Sequence, residues 1–162
     1  MEPDAIEAAI TPETSAIVVV HVLGGAVNVT DVEAIARRRN LWLFEDTCEA
    51  LGAAWNGKRV GSFGHLASFS FYFSHHISTI EGGMLVTDDA EIDHLARSLR
   101  NHGWTRDVPA DTAIFERRDE DFAEAYRFIL PGYNVRPMEM SGAVGLEQLK
   151  KLDDLVAVRR RN

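Results

Sequence analysis

The chain has 162 residues, 46% hydrophobic and 26% charged, a balance that suits one folded soluble domain and sets disorder aside. Acidic residues outnumber Lys and Arg by 25 to 17, and the net charge of -8 excludes a sequence-independent grip on nucleic acid, which needs basic side chains to displace counterions. No apolar run approaches the ~20 residues of a membrane span. The opening MEPDAIEAAI lacks the character of a leader, and the single Cys48 allows neither an internal disulfide nor a thiolate cluster, so a reducing, cytoplasmic setting is expected.

Residues 17–23, IVVVHVL, form a β-branched apolar run that predicts a strand buried on both faces of a parallel sheet. Gly24 and Gly25 end it. Asn28 to Asp31 offer cap residues for a helix in which Val32, Ile35 and Ala36 recur at helical spacing. LWLFED at 41–46 predicts the next strand, completing a strand–helix–strand unit with Asp46 at its end and a helix starting in TCEALGAA. Gly57, Gly61 and Gly64 mark turns, 66–71 reads as a strand, 84–88 as another, and DAEIDHLARSLR as a helix capped by Asp88 or Asp89. Residues 101–134 read as a long loop with short helical pieces. From Met138 the chain reads as one helical tract with Val144, Leu146, Leu149, Leu152 and Leu155 as its apolar face. No internal repeat is present. The basic spots Arg37 to Arg39 and Arg159, Arg160 read as solvated helix faces.

Alternation of strands and helices predicts an α/β fold, in which ligands sit beyond the carboxyl ends of the strands. Asp46, Ser68, Ser70 and the pair His75-His76 fall at such ends. An acid, hydroxyls and an imidazole make a plausible site, although by local pattern Asp46 reads equally as a helix cap and the serines as ordinary strand residues. Neighbouring histidines on an extended backbone point apart, so one at most faces a given pocket. Two histidines without further ligands predict no metal site.

The segments FEDTCEALGA, GSFGHLASFSF and EGGMLVTDD, followed in order by Leu99-Arg100-Asn101-His102-Gly103, Gly132-Tyr133-Asn134-Val135-Arg136 and GLEQLKKLD, carry a family resemblance over nearly the whole chain. The chain resembles the nucleotide-sugar aminotransferases of the DegT/DnrJ/EryC1/StrS family. The resemblance implies fold type I of the enzymes dependent on pyridoxal 5'-phosphate (PLP), like aspartate aminotransferase, with a mainly parallel sheet flanked by helices. Residues 1–136 would form part of the cofactor-binding large domain. Residues 137–162 would form a helix leading toward a smaller C-terminal domain, and the family's Gly- and Thr-containing phosphate segment would precede residue 1. The resemblance also implies roles. Asp46 pairs with the cofactor's ring nitrogen, Ser70 binds its phosphate with Ser68 as a helper, and Glu49 approaches the ring. Glu81 organises a turn. Asn134 reaches the cofactor of a neighbouring subunit in a homodimer, and Arg136 and His76 stand as substrate contacts.

One departure from the family decides the expected reaction. Family aminotransferases carry in the loop after FSF a lysine that bonds covalently to the cofactor, and here FYFSHHISTIEGG places His75 on that position. Imidazole cannot form that bond, but it titrates near neutral pH and can carry protons. The loop is similar to that of the histidine-containing branch that 3-dehydrates GDP-4-keto-6-deoxy-D-mannose. This similarity implies a loosely held pyridoxal or pyridoxamine 5'-phosphate, L-glutamate as amino donor, His75 as acid and base, and a nucleotide-linked 4-keto-6-deoxy sugar as substrate. The alternatives are a sugar aminotransferase using another lysine, Lys58 or Lys150, a CDP-sugar 3-dehydrase, and an inactive piece that only dimerises.

Overall fold

The computed structural model describes residues 2–162. A four-stranded sheet has the order β1-β2-β5-β6, built from β1 (Ala16–Val20), β2 (Trp42–Asp46), β5 (Leu66–Ser70) and β6 (Gly83–Val86). The first three strands are parallel and β6 runs against β5. Before β1 lies α1 (Pro3–Ala9), a helix not expected from the sequence, and α2 (Val29–Arg39) crosses between β1 and β2. The side chain of Asn28 caps α2 by accepting the Asp31 N–H, and Asn40 ends it in the left-handed conformation.

One side of the sheet holds the core. Ile6 of α1 and Val32, Ile35 and Ala36 of α2 pack on Ile17 and Val19 of β1 and Leu43 of β2. Val19, Val32 and Leu43 are at most 1% exposed, and each such burial contributes roughly 1.5–3 kcal/mol relative to exposure. The expectation that the first strand is buried on both faces does not hold. Val18 and Val20 remain 54% and 42% exposed, because α1 and α2 both lie on the Ile17/Val19 side. The strand is also shorter than its apolar run, ending at Val20 as the chain turns into a single 3-10 turn at Val22–Gly24.

Between β2 and β5 the expected helix in TCEALGAA is replaced by two consecutive tight turns, closed by Ala50 N–H to Thr47 O and Ala53 N–H to Ala50 O, each at 2.9 Å. Gly52 lies within the second turn at φ +86°, a left-handed conformation that glycine adopts freely. A hairpin of β3 (Ala54–Trp55) and β4 (Lys58–Arg59) then turns at Asn56-Gly57, both at positive φ, which suits a two-residue hairpin loop.

The tract after Met138 is two helices, α5 (Glu139–Leu149) and α6 (Leu152–Arg161), interrupted at Lys150-Lys151. Its expected apolar face is largely uncovered: Leu146 is 67% and Leu149 55% exposed. Arg159 and Arg160 are not merely solvated, since they reach His76 and the Gly52 carbonyl. These helices belong with the residues up to Val86 in one compact unit.

Residues 87–138 form a second unit. It begins with α3 (Ala90–Leu99), capped by Asp89, whose side chain accepts the Glu91 and Ile92 N–H groups. The rest is the expected long loop, with α4 (Asp121–Ala125) its one short helix. Polar contacts hold it: His94 Nδ1 meets Thr112 Oγ1 at 3.0 Å, and Asn101 Nδ2 donates to Asp107 at 3.1 Å.

Candidate active site

Side chains alternate along a strand, so the parallel register of β1, β2 and β5 sorts residues onto two faces. Asp46 lies opposite Val20 on one side and Ser68 on the other, at the carboxyl end of β2. Ser70 is two residues beyond Ser68 and therefore on the same face. Asp46, Ser68 and Ser70 thus share the face that α1 and α2 leave open, the placement that a ligand beyond the strand ends requires.

Asp46 is not a helix cap, since no helix follows it. Its Oδ1 accepts the Cys48 N–H at 3.0 Å. The Cys48 thiol holds the Asp46 carboxyl below the usual carboxylate range, helped by that N–H and by the Ser68 hydroxyl, against the opposing effect of partial burial. The carboxylate is therefore ionised at neutral pH. Burial and the same carboxylate push the Cys48 thiol up, which keeps it a thiol. Thr47 is fully buried, and both its N–H, at 3.0 Å, and its hydroxyl donate to Ser68 O, which pins the end of β2 to β5.

Glu49 lies in the tight turns rather than one helical turn after Asp46. Its Oε2 accepts the Leu23 N–H at 2.8 Å, tying this segment to the loop after β1, where Leu23 itself has φ +53°.

After β5 the chain makes a loop closed at its neck by Phe71, whose N–H donates to Gly82 O at 2.8 Å and whose carbonyl accepts the Thr79 N–H at 2.9 Å. Inside it Ile77 and Thr79 are 5% and 8% exposed. The Glu81 backbone carbonyl accepts the Thr79 hydroxyl. Ser70 Oγ accepts the Tyr72 N–H at 3.2 Å, at the start of the same loop.

His75 and His76 sit in a bend rather than on extended backbone, with the His75 N–H donating to Tyr72 O at 3.0 Å. The His75 ring stands edge-on to Tyr72 with centroids 6.0 Å apart, and its buried Nδ1 has no hydrogen-bond partner. His76 has separate company: its Nε2 lies 3.3 Å from Arg159 of α6. Burial lowers the His76 pKa, and the charges of Arg159 and His75 lower it further, so the ring is neutral at physiological pH.

The lysines are Lys58, Lys150 and Lys151. Lys58 lies over the Phe63 ring and Lys150 pairs with Glu147, so neither belongs to the loop after β5. Asn134 and Arg136 are exposed in the second unit, with Asn134 bridging to Asn101. No group of three or more His, Cys, Asp or Glu side chains among the described residues is arranged to hold a metal, and no described helix is long and apolar enough to cross a membrane.

Sequence reasoning missed a buried pair behind this face. His21 and Glu45 are 0% and 1% exposed, with His21 Nε2 3.2 Å from Glu45 Oε2. A charged residue inside a strand of otherwise apolar character, alternating with Leu43 on the buried face, is the signal that could have found it.

Relatives of this chain are known. The GDP-4-keto-6-deoxy-D-mannose 3-dehydratase of Escherichia coli O55:H7 is 47% identical over 160 residues, covering 98% of this chain and 41% of that protein. The solved E. coli enzyme of that name with bound hydrated PLP matches at TM-score 0.91 and 46% identity, over 100% of this chain and 42% of the other. A GDP-4-keto-6-deoxymannose-3-dehydratase with a trapped PLP-glutamate geminal diamine matches at TM-score 0.87 and 45% identity, over 94% of this chain and 40% of that one. The chain therefore spans about 41% of the length of the curated relative. A family model matches residues 1–162 throughout, and the chain belongs to the DegT/DnrJ/EryC1/StrS aminotransferase family.

Proposed function

We propose that this chain supplies the cofactor-binding part of a PLP-dependent sugar 3-dehydratase that removes the C3 hydroxyl of GDP-4-keto-6-deoxy-D-mannose. The observation that carries the reading is His75: the loop after β5 holds a partly buried imidazole with a free Nδ1 where family aminotransferases have lysine, and every lysine of the chain lies elsewhere. Relatives that share 46–47% identity carry the name of this activity, and one was solved with PLP.

The residues present fit the cofactor. An ionised carboxylate to accept a pyridinium N–H, two hydroxyls on the same sheet face to donate to a phosphate, and an imidazole nitrogen lacking a partner suit a phosphorylated pyridinium. When bound as its pyridoxamine form, that group supplies an amine for the sugar's ketone and a ring that accepts electrons. Asp46 would pair with the ring nitrogen and keep it protonated. Ser70, with Ser68, would bind the phosphate, and Glu49 would border the ring. His75 would carry the proton at the cofactor's C4' carbon and deliver one to the departing C3 hydroxyl, a general acid and base task suited to imidazole. Because histidine offers no amine, the cofactor would be held without a covalent bond to the chain, free to be re-aminated by L-glutamate.

In this reading residues 1–136 belong to the large domain and 137–162 lead out of it. Asn134 would serve the neighbouring subunit of a homodimer, with Arg136 and His76 as substrate contacts. A free Cys48 suits a cytoplasmic setting.

The test is incubation of the purified protein with pyridoxal phosphate, L-glutamate and GDP-4-keto-6-deoxy-D-mannose, with products weighed by mass spectrometry. A sugar lighter by one oxygen, formed with 2-oxoglutarate and ammonia, is expected. A 4-amino sugar that retains its C3 oxygen would overturn the reading in favour of an aminotransferase.

A further inference from the structure

Glu45 and Asp46 are consecutive on β2 and face opposite sides of the sheet. The proposed reaction uses Asp46 and leaves Glu45 unexplained. Burying a carboxylate is costly unless its lone pairs are satisfied, and here four donors converge on it. Oε1 accepts the Phe63 and Gly64 N–H groups, each at 2.7 Å, while Oε2 accepts the Gly61 N–H at 2.7 Å and lies 3.2 Å from His21 Nε2. On its other side His21 Nδ1 accepts the Val27 N–H at 3.3 Å, which leaves the ring proton on Nε2, directed at Glu45.

The same two residues reach Asp46 through the backbone. The His21 N–H donates to the Asp46 carbonyl at 3.0 Å, so the peptide groups on either side of the site are tied to the buried pair. The segment Gly61–Gly64 has no regular structure of its own, and Glu45 takes up three of its N–H groups. Gly64 is required there: a Cβ would lie 2.6 Å from the Leu43 carbonyl oxygen. The pair therefore joins the loop after β1, the end of β2 and the approach to β5, the three segments that carry or flank Asp46 and Ser68.

We infer that Glu45 and His21 are positioning residues for the proposed cofactor site, fixing from the buried side the backbone that presents Asp46 and Ser68 on the open side. The inference rests on the reading that Asp46 and its neighbours bind the cofactor. Glu45→Gln tests it sharply, because an amide has one acceptor oxygen, and in either orientation its NH2 group must face an N–H donor.

Pyridoxamine phosphate affinity, measured by fluorescence titration, is compared in wild type, Glu45→Gln, His21→Leu, His21→Gln and Ile35→Val, with thermal midpoints recorded for each. Glu45→Gln and His21→Leu are expected to bind about tenfold more weakly or worse. His21→Gln, whose amide N–H can still donate to Glu45, should recover most of the affinity. Ile35→Val, a core change away from the loops, should lower the thermal midpoint and leave affinity unchanged. Wild-type affinity in folded Glu45→Gln, or equal weakening in Ile35→Val, would overturn the inference alone. A wild-type protein that binds no cofactor would overturn it together with the reading of the site.

Discussion

The Oδ1 atom of Asp46 accepts the backbone N–H of Cys48 at 3.0 Å, which directs the carboxylate from the end of β2 toward the open face of the sheet. With the Cys48 thiol and Ser68 hydroxyl also stabilising its charged form, Asp46 stays ionised well into the acid range. Asp46→Asn should therefore keep the turn and lose the charge. A charge-assisted hydrogen bond is worth about 1.5–3 kcal/mol, so cofactor affinity should fall roughly 10- to 100-fold, read by absorbance titration. Undiminished affinity and turnover would remove Asp46 from its assigned place.

His75→Lys puts an amine into the loop after β5. The variant should acquire a covalent link to pyridoxal phosphate that borohydride fixes, visible as an increase in protein mass. Removal of the proton carrier should lower 3-deoxygenation by about 10²–10⁴-fold. A variant that forms the link and still removes the C3 hydroxyl at the original rate would show that the imidazole is not the acid and base.

The buried Glu45 carboxylate predicts a specific acid limit to stability. Burial acts to raise its pKa, but His21 and the N–H groups of Gly61, Gly64 and Phe63 outweigh burial and hold it below the ordinary value. A group whose pKa is depressed by folding contributes stability above its unfolded pKa, about 4.3 for Glu, and loses that contribution as pH falls through the folded value. Thermal midpoints should be flat in this respect at neutral pH and fall below about pH 4.3. The fall should be shallower in Glu45→Gln, whose midpoint is lower at neutral pH; parallel pH curves for the two proteins would contradict the assignment.

Gly103, in the Asn101-His102-Gly103 stretch, has φ +82°, and a Cβ there would run into the Leu130 carbonyl oxygen. Gly103→Ala should destabilise the second unit by more than the ~1–2 kcal/mol of left-handed strain alone. Limited proteolysis between residues 87 and 138 would read this out, with faster cleavage expected in the variant.

Much of the frame was legible because short-range physics wrote it. The β-branched run at 17–20 marked β1 and the short apolar run at 41–44 marked β2, the Asn28 and Asp89 caps fixed the starts of α2 and α3, and the position of Asp46 followed from the end of its strand. Local pattern predicts a helix at 47–53, but Thr47, Cys48 and Glu49 make their hydrogen bonds to Ser68, Asp46 and Leu23 instead of to a helical ladder. The break at Lys150-Lys151 and the exposed Leu146 were hidden for a different reason: apolar spacing tells which residues could share a face, not whether anything covers it.

By itself the sequence determined the order of elements, the family motifs and the histidine in the lysine's place, all properties of neighbouring residues. Only the tertiary structure decided that Asp46, Ser68 and Ser70 share the uncovered face, and that His21, 24 residues before Glu45, meets it beneath them. Parallel strands pair distant segments through a register that no local pattern encodes, and a buried carboxylate is tolerable only where that register brings donors to it.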